Sequence, residues 1–347
     1  MEDTAPIRPE ERFDEVVVAG YLRSHLPELF GDGPIRFDQF PGGAANLTYR
    51  AVAADGSEFV LRRAPLGAVA RSGHDMEREH RVLSRLWRAY DLAPRAHHFC
   101  SDPDVMGKPF FVMERRHGTV VRRTWPPGMA DDPAMQRVTA MSLVDALSDL
   151  HRVDPAAVDL ADLGRPDGFV SRQIDGWTRR WEAAATRTVP DMGTAATLLA
   201  NNIPSPQQAT ILHNDFKLDN TMIGGDGRLV AVFDWDMATL GDPLVDVGTL
   251  LAYWAQPDDP TFLVFGERAV AIGEVMPKAE VRERYAERSG LDLSGITFYE
   301  GLAMFRIAVI IEQIYARFLA GQTTDQRFAA FEPIAPLLAS AAVRHLS

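Results

Sequence analysis

Two short stretches, residues 211–220 and 229–236, contain the side chains best suited to chemistry. An apolar run in the first leads into a polar loop that carries Asp215 and Asn220, and a second apolar run leads to Asp234. The oxygen atoms of Asn220 and Asp234 are hard ligands of the kind that Mg²⁺ prefers. Asp215, two residues after a histidine, is free to face a hydroxyl nucleophile. These residue types indicate magnesium-assisted group transfer to a hydroxyl group.

The order of these residues resembles that of a known family. The pattern reads H-x-D-x-x-x-x-N from His213 and F-D-W-D from Phe233, and it resembles the aminoglycoside phosphotransferase and choline-kinase branch of the protein-kinase-like superfamily. The resemblance implies an α+β, bilobal fold. Residues 1–114 would form a small N-lobe with an antiparallel sheet and a helix, and residues 115–347 a larger, mainly helical C-lobe. It also implies ATP and Mg²⁺ as cofactors, and Asp215 as the catalytic residue.

Three segments, residues 60–65, 76–79 and 233–243, are most similar to the group of phosphotransferases associated with acyl-CoA dehydrogenases. That resemblance implies a small hydroxylated metabolite as the acceptor, such as a hydroxyacyl compound. An aminoglycoside acceptor is the alternative, and an acidic pocket near the C-terminal helices would favour it. A nucleotide-binding protein without catalysis is a second alternative. The presence of all three polar side chains of the motif argues against it, because such proteins usually lose one.

A glycine-containing hairpin is predicted near the N-terminus. Alternating apolar residues indicate three strands within residues 35–63, and the first turn contains Gly42 and Gly43. Adjacent glycines permit a close approach of the main chain to a ligand, although they are common in ordinary hairpins. The resemblance implies that this hairpin covers the nucleotide phosphates, and that Asn46 or the main chain beside it contacts them.

Apolar residues at helical spacing predict four main helices, at residues 13–30, 75–86, 131–153 and 296–319. In the first helix, Val16 and Val17 are among the residues expected to face the core.

The resemblance also implies a strand cation that contacts the nucleotide phosphates. Arg62 occupies its place, where lysine is the commoner residue, and a guanidinium keeps the charge and presents a planar fork to phosphate oxygens. Arg63 is the competing candidate, because only one of two successive strand residues faces a given side of a sheet. We favour Arg62. Glu79 stands where the family pairs a helix glutamate with this cation, although a solvated helix face has the same pattern.

The apolar segment 109–114 lies where related folds place the hinge that binds adenine through main-chain groups. The resemblance implies Met113 as the residue beside the base. The carbonyl group of Glu114 and the amide of Arg116 would then be the hydrogen-bonding groups. An edge strand with no ligand has the same pattern.

Four polar residues near the motif have structural interpretations. The resemblance places His213 inward, and we favour a structural role for it over a catalytic one. Asp242, before a proline, is expected to be a turn or cap residue. Asp246 is expected to hydrogen-bond the main chain of the catalytic loop. Asp236 has two interpretations, a metal contact and a structural hydrogen bond, of which we favour the second.

The composition excludes several classes of function. The chain has 347 residues and a net charge of −12, so nucleic-acid binding through a basic surface is not expected. A single cysteine, Cys100, excludes an internal disulfide and a cysteine zinc site. We expect no signal peptide and no membrane span, and therefore a cytoplasmic protein. The family resemblance implies that its partner is a small-molecule hydroxyl acceptor.

Overall fold

The computed structural model describes residues 3–41, 46–65, 75–257, 259, 270–323 and 325–347. The chain divides into two compact units. The first unit comprises Met1–His117 and Ala231–Ala238, and the second comprises Gly118–Val230 and Thr239–Ser347.

Among its described residues, the first unit is built on an antiparallel sheet of five strands in the order β1-β2-β3-β5-β4. The strands are β1 (Arg36–Gln39), β2 (Leu47–Val52), β3 (Glu58–Arg63), β4 (Ala96–Cys100) and β5 (Phe110–Glu114). The three strands predicted within residues 35–63 are confirmed. Strand β4 was not predicted, because its sequence, AHHFC, has two adjacent histidines and no regular alternation.

The helices of the first unit are α1 (Glu15–His25), α2 (Pro27–Phe30), α3 (Met76–Leu86) and α4 (Pro103–Met106). The helix predicted at residues 13–30 is interrupted at Leu26, because a residue that precedes proline disfavours the helical conformation. The expected burial of Val16 and Val17 was wrong, since these side chains are 78% and 44% exposed. The buried face of α1 contains Leu22, which was also expected to face the core, together with Val18.

The second unit is mainly helical. The helices among its described residues are α5 (Pro133–His151), α6 (Phe169–Ala184), α7 (Pro190–Asn201), α8 (Leu244–Tyr253), α9 (Lys278–Ser289), α10 (Ile296–Leu319) and α11 (Ile334–Leu346). Strands β6 (Thr210–Leu212) and β9 (Thr239–Gly241) pair in antiparallel register. Strands β7 (Thr221–Ile223) and β8 (Leu229–Val232) form another two-stranded sheet.

Helix α10 is the longest in the described part of the chain, and most of its residues are buried. Two of its buried charges, Glu300 and Glu312, have close hydrogen-bonding partners, as burial of a carboxylate requires. Glu300 accepts hydrogen bonds from Arg282 at 2.7 and 2.9 Å, and Glu312 accepts one from the main chain of Thr186 at 2.9 Å. Within the described ranges, no helix has the length and apolar character needed to cross a membrane.

Helices α8 and α10 approach each other through main-chain contact at Gly248. A Cβ atom at this position would lie 2.5 Å from the carbonyl carbon and oxygen of Tyr299. We expect Gly248→Ala to lower the free energy of unfolding by about 1–3 kcal/mol, because the two helices must move apart. Urea unfolding followed by circular dichroism measures the change.

Gly193→Ala is the matched control, because Gly193 lies on an exposed face of α7 and a Cβ there has nothing within 4 Å. This variant should be more stable than the wild type by about 0.5–1 kcal/mol, the usual difference between alanine and glycine in a helix. A Gly248→Ala protein as stable as the wild type would contradict the close packing of α8 and α10.

Candidate active site

The loop that follows β6 is fixed by a buried carboxylate from α8. Pairing of β6 with β9 places the start of α8 beside this loop, where Asp246 is fully buried. Its Oδ2 accepts a hydrogen bond from the main-chain N–H of His213 at 2.7 Å, and its Oδ1 accepts one from that of Asn214 at 2.8 Å. The role expected for Asp246 is therefore confirmed.

The environment of Asp246 favours its ionised form. Burial by itself would raise the pKa of this carboxyl group, but the hydrogen bond from His151, the nearby imidazoles and the main-chain N–H groups hold it below its ordinary value. The His151 Nε2 atom lies 3.4 Å from Asp246 Oδ2, and its Nδ1 lies 2.6 Å from the hydroxyl oxygen of Tyr285. The ionised carboxylate is thus favoured as the acceptor that holds the loop.

Asn214 gives the loop its sharp turn. Its φ of 66° lies in the left-handed region, which costs about 1 kcal/mol for most residues and less for asparagine. The next residue, Asp215, donates its main-chain N–H to Nδ1 of His213 at 3.2 Å. His213 is fully buried, and its ring packs edge-on against Phe216. These contacts support the structural role that we favoured for His213.

The structure brings Asp215 together with Asn220 and with Lys217. Lys217 Nζ lies 2.9 and 2.8 Å from the two carboxylate oxygens of Asp215. Asn220 Nδ2 donates to Asp215 Oδ2 at 2.8 Å and to its main-chain oxygen at 2.9 Å. These bonds use the amide nitrogen of Asn220, which leaves its oxygen as the atom suited to a metal ion.

Lys217 was not predicted from the sequence, although it lies inside the motif. Burial would lower the pKa of its ammonium group, but Tyr253, Asp215 and Asp219 raise it above the ordinary value. Its Nζ lies 4.9 Å from the centre of the Tyr253 ring. A cation two residues after a candidate catalytic carboxylate was the signal that would have identified it.

In the first unit, Asp234 is held by the main chain on both sides. It has a left-handed conformation, with φ 70° and ψ 58°. Before it, the N–H of Val232 donates to the carbonyl oxygen of Leu92 at 2.8 Å, and after it the fully buried Trp235 donates Nε1 to the carbonyl oxygen of Val232 at 2.8 Å. The Asp234 side chain remains 30% exposed between these anchors.

The first unit also brings together Arg62, Glu79 and Asp234. Arg62 Nε lies 3.0 Å from Glu79 Oε2, and its Nη2 contacts Asp234 Oδ1. Arg63 points to the opposite side of β3, is only 1% exposed, and donates to the Tyr49 hydroxyl at 2.6 Å. Arg62, rather than Arg63, therefore shares a side of the sheet with Glu79.

Burial dominates the electrostatics of this cluster. It raises the pKa of Glu79 to about 7, although the Arg62 guanidinium opposes the shift. Burial would lower the pKa of Arg62, but Glu79, Asp234 and Asp236 together raise it. The guanidinium is therefore positively charged at any physiological pH.

The predicted hinge residues lie at the end of β5. Met113 is buried in the strand, opposite Val60 of β3. The N–H of Glu114 donates to the carbonyl oxygen of Arg95 at 2.8 Å, and Arg116 Nε lies 3.0 Å from Glu114 Oε1. The side chains of Glu114 and Arg116 line a cavity of about 450 Å³ together with Trp87, Asp91, Arg95 and His97.

The remaining predicted residues have mixed outcomes. Gly42 and Gly43 lie outside the described residues, and Asn46 is buried at the start of β2. Asp242 is confirmed as a turn residue before α8, because its Oδ1 accepts the N–H of Leu244 at 3.0 Å and its Oδ2 accepts the Tyr299 hydroxyl at 2.6 Å. Asp236 lies in the turn Trp235–Met237 and adds to the negative charge around Arg62.

Comparison with known proteins gives a family match over most of the chain. Residues 36–286 match the model of the phosphotransferase enzyme family. Mouse acyl-CoA dehydrogenase family member 10 is 30% identical over 326 residues, which cover 93% of this chain and 30% of the mouse protein. The chain thus spans less than half the length of the curated relatives it matches.

Solved structures show the same fold. A proposed aminoglycoside phosphotransferase of Ralstonia eutropha JMP134 superposes with a TM-score of 0.81 and 28% identity, covering 96% of this chain and 98% of that one. A thermostable aminoglycoside phosphotransferase APH(4)-Ia, in complex with ADP and hygromycin B, has a TM-score of 0.59 and 19% identity, covering 93% and 98%. The predicted α+β, kinase-like fold is therefore confirmed. The chain belongs to the phosphotransferase enzyme family.

Proposed function

We propose that this enzyme transfers the γ-phosphoryl group of ATP, with Mg²⁺, to a hydroxyl group of a small metabolite. The observation that carries the proposal is the environment of Asp215. Its carboxylate accepts hydrogen bonds from Lys217 and Asn220, on a loop whose main chain is fixed by buried Asp246. A carboxylate oriented in this way suits an acceptor hydroxyl, because phosphoryl transfer depends mainly on alignment and charge neutralisation.

Asp215 is the general base in this proposal. It accepts the hydrogen bond of the acceptor hydroxyl and takes the proton late in the transfer. Lys217 holds both carboxylate oxygens and supplies a positive charge next to the transferred group. Neither residue forms a covalent bond to the substrate.

Asn220 and Asp234 are the proposed magnesium ligands, and their chemistry fits the ion. Asn220 uses its amide nitrogen to bind Asp215, so its oxygen is the ligand atom. Arg62 contacts Oδ1 of Asp234, and Oδ2 is the proposed ligand atom. Bound Mg²⁺ would neutralise the negative charge of the phosphate oxygens and of the Asp234 carboxylate.

Arg62 is the proposed phosphate-binding cation, and Glu79 orients it. The 3.0 Å contact between Arg62 and fully buried Glu79 supports this assignment, because a buried carboxylate restrains its partner to one direction. The other nucleotide-binding residues that we propose are Gly42, Gly43, Asn46, Met113, Glu114 and Arg116.

A hydroxyacyl compound is the proposed acceptor. The similarity to acyl-CoA dehydrogenase family members over 93% of the chain supports an acyl acceptor. The cationic side chain of Lys217, which lies in the loop beside Asp215, favours a neutral or anionic acceptor over a polycationic one. The similarity to a proposed aminoglycoside phosphotransferase keeps that class as the second candidate.

A screen of ATP consumption distinguishes these acceptors. We expect phosphate transfer to hydroxyacyl thioesters and weaker or no transfer to aminoglycosides, amino alcohols and sugars. Transfer confined to aminoglycosides would overturn the acceptor class but not the kinase activity. No transfer of radiolabelled phosphate to any hydroxylated compound would instead favour a nucleotide-binding protein without catalysis.

Asp215→Ala should reduce turnover by about 10²–10⁴-fold, the usual contribution of a general base. Affinity for ATP, measured by titration calorimetry, should change little, because Asp215 contacts the acceptor rather than the nucleotide. Asp226→Asn is the control, since Asp226 is an exposed carboxylate in the turn between β7 and β8, where it accepts the N–H of Arg228. An Asp215→Ala enzyme that keeps most of its turnover would show that the base is another residue.

Asp234→Asn should abolish the dependence of ATP affinity on magnesium, because the neutral amide is a much weaker ligand than a carboxylate. Calorimetric titrations of ATP with and without Mg²⁺ measure this dependence. Asp236→Asn, in the same F-D-W-D sequence, should keep it. Equal magnesium dependence in the wild type and the Asp234→Asn protein would refute the proposed ligand role.

Arg62→Gln should weaken ATP binding by about 10- to 100-fold, the range expected for loss of a charged hydrogen bond. Arg62→Lys should recover much of the affinity, because an ammonium group restores the charge. Arg63→Lys should leave ATP affinity unchanged and lower the free energy of unfolding by about 1–3 kcal/mol, since buried acceptors such as the Tyr49 hydroxyl lose their donor. The reverse pattern would identify Arg63 as the phosphate-binding residue.

A further inference from the structure

Arg306 is a buried cation in the middle of α10, within the apolar run 303–311. Its side chain contacts the catalytic loop, because Nη2 donates a hydrogen bond to the main-chain oxygen of Asn214 at 3.0 Å. The guanidinium also lies 5.5 Å from the centre of the Trp177 ring, and the residue is only 5% exposed. An α10 side chain therefore reaches the residue immediately before Asp215.

With the contact from Arg306, both the carbonyl group and the N–H group of the peptide between Asn214 and Asp215 are hydrogen-bonded. The carbonyl oxygen of the peptide between Asn214 and Asp215 accepts from Arg306, and its N–H donates to His213 Nδ1 at 3.2 Å. The N–H of Asn214 is held by Asp246 at 2.8 Å. Rotation of this peptide would break two hydrogen bonds and swing the Asp215 side chain, and the left-handed φ of Asn214 leaves little other freedom.

Packing alone does not account for an arginine at this position. Among the described residues, neither Nε nor Nη1 of Arg306 has a hydrogen-bond partner, although both atoms are buried. Burial also lowers the pKa of Arg306, which Asp246, Asp215 and Tyr253 only partly offset. Buried donors without acceptors destabilise a fold, so an apolar side chain would pack here at lower cost. The hydrogen bond to Asn214 is the feature that an apolar residue lacks.

We propose that Arg306 is a positioning residue for phosphoryl transfer. It fixes the plane of the Asn214–Asp215 peptide and thereby the direction in which the Asp215 carboxylate points. This inference rests on the proposed function of Asp215 as the base. Arg306 contacts neither nucleotide nor acceptor in this role, so its loss affects turnover more than substrate affinity.

Arg306→Ala tests the proposal, with Arg180→Ala as the matched control. Arg180 lies over the same Trp177 ring, 4.4 Å from its centre, but approaches from α6 and does not contact the loop. We expect kcat for ATP-dependent transfer to fall by about 10- to 100-fold in Arg306→Ala, as a small misplacement of a catalytic group can cause. The KM for ATP should stay within about threefold of the wild type, and Arg180→Ala should retain its kcat.

Recovery of kcat on addition of guanidinium distinguishes the proposed positioning role from a purely structural one. Millimolar guanidinium chloride should restore part of the kcat of Arg306→Ala by occupying the vacated site, whereas urea at the same concentration should not. The same salt should have no such effect on Asp215→Ala. Arg306→Lys, which keeps the charge but lacks the fork, should be intermediate and provides the test if the alanine variant does not fold.

Amide hydrogen exchange of the protein without nucleotide tests the restraint separately from activity. Exchange in residues 211–220 should be faster in Arg306→Ala than in the wild type and slower again with guanidinium. Unchanged exchange and unchanged kcat would overturn the proposal, as would a loss of kcat that guanidinium does not restore and Arg180→Ala reproduces. Full activity of Asp215→Ala would instead refute the base assignment, and the exchange result would still show whether Arg306 holds the loop.

Discussion

The buried carboxylate of Asp246 is the interaction on which the candidate active site depends. It accepts two main-chain hydrogen bonds from the loop that carries Asp215, and a histidine on α5 lies against it. A buried charge is tolerated only when most of its lone pairs are satisfied, and here the donors are the loop itself. Substrate binding therefore requires no further loss of conformational entropy in the loop, because folding of the second unit has already fixed its conformation.

In the first unit, strand alternation places two adjacent arginines of β3 on opposite sides of the sheet, where they have different roles. Arg63 is enclosed and binds the Tyr49 hydroxyl, so it belongs to the core. Arg62 faces the other side and links Glu79 to Asp234. The pleat of one strand separates a structural cation from a candidate functional one, although the two residues are identical in type and consecutive in sequence.

Much of the fold followed from local patterns, and the exceptions have physical causes. Helix α10 has the bounds expected from its apolar spacing, because its burial extends over nearly every turn. Strand β4 escaped prediction because its place in the sheet depends on pairing with β5, which residue spacing alone does not reveal. The buried face of α1 was misjudged because three consecutive valines fit more than one helical register.

The candidate site could be predicted where residue order in the motif or resemblance to the family singled out a residue, whereas Lys217 was missed although it lies inside the motif. Asp215, Asn220 and Asp234 were identified from residue type and order, and Arg62 from alternation and resemblance. Arg306 could not be found in this way, because ninety-two residues separate it from its loop partner and its neighbours in sequence are apolar. Such a contact depends on how α10 packs in the folded protein. That packing is determined by the whole hydrophobic core and not by the local sequence around Arg306.

Helix α8 contains both Asp246, which holds the loop, and Gly248, which lets α10 approach its main chain. Helix α10 in turn contains the Tyr299 carbonyl that meets Gly248 and the guanidinium of Arg306 that reaches Asn214. Hydrophobic packing and loop alignment are consequently set by the same pair of helices. A substitution that changes the spacing of these two helices would therefore disturb the loop for every acceptor alike, so a new acceptor preference has to arise from substitutions that keep this spacing.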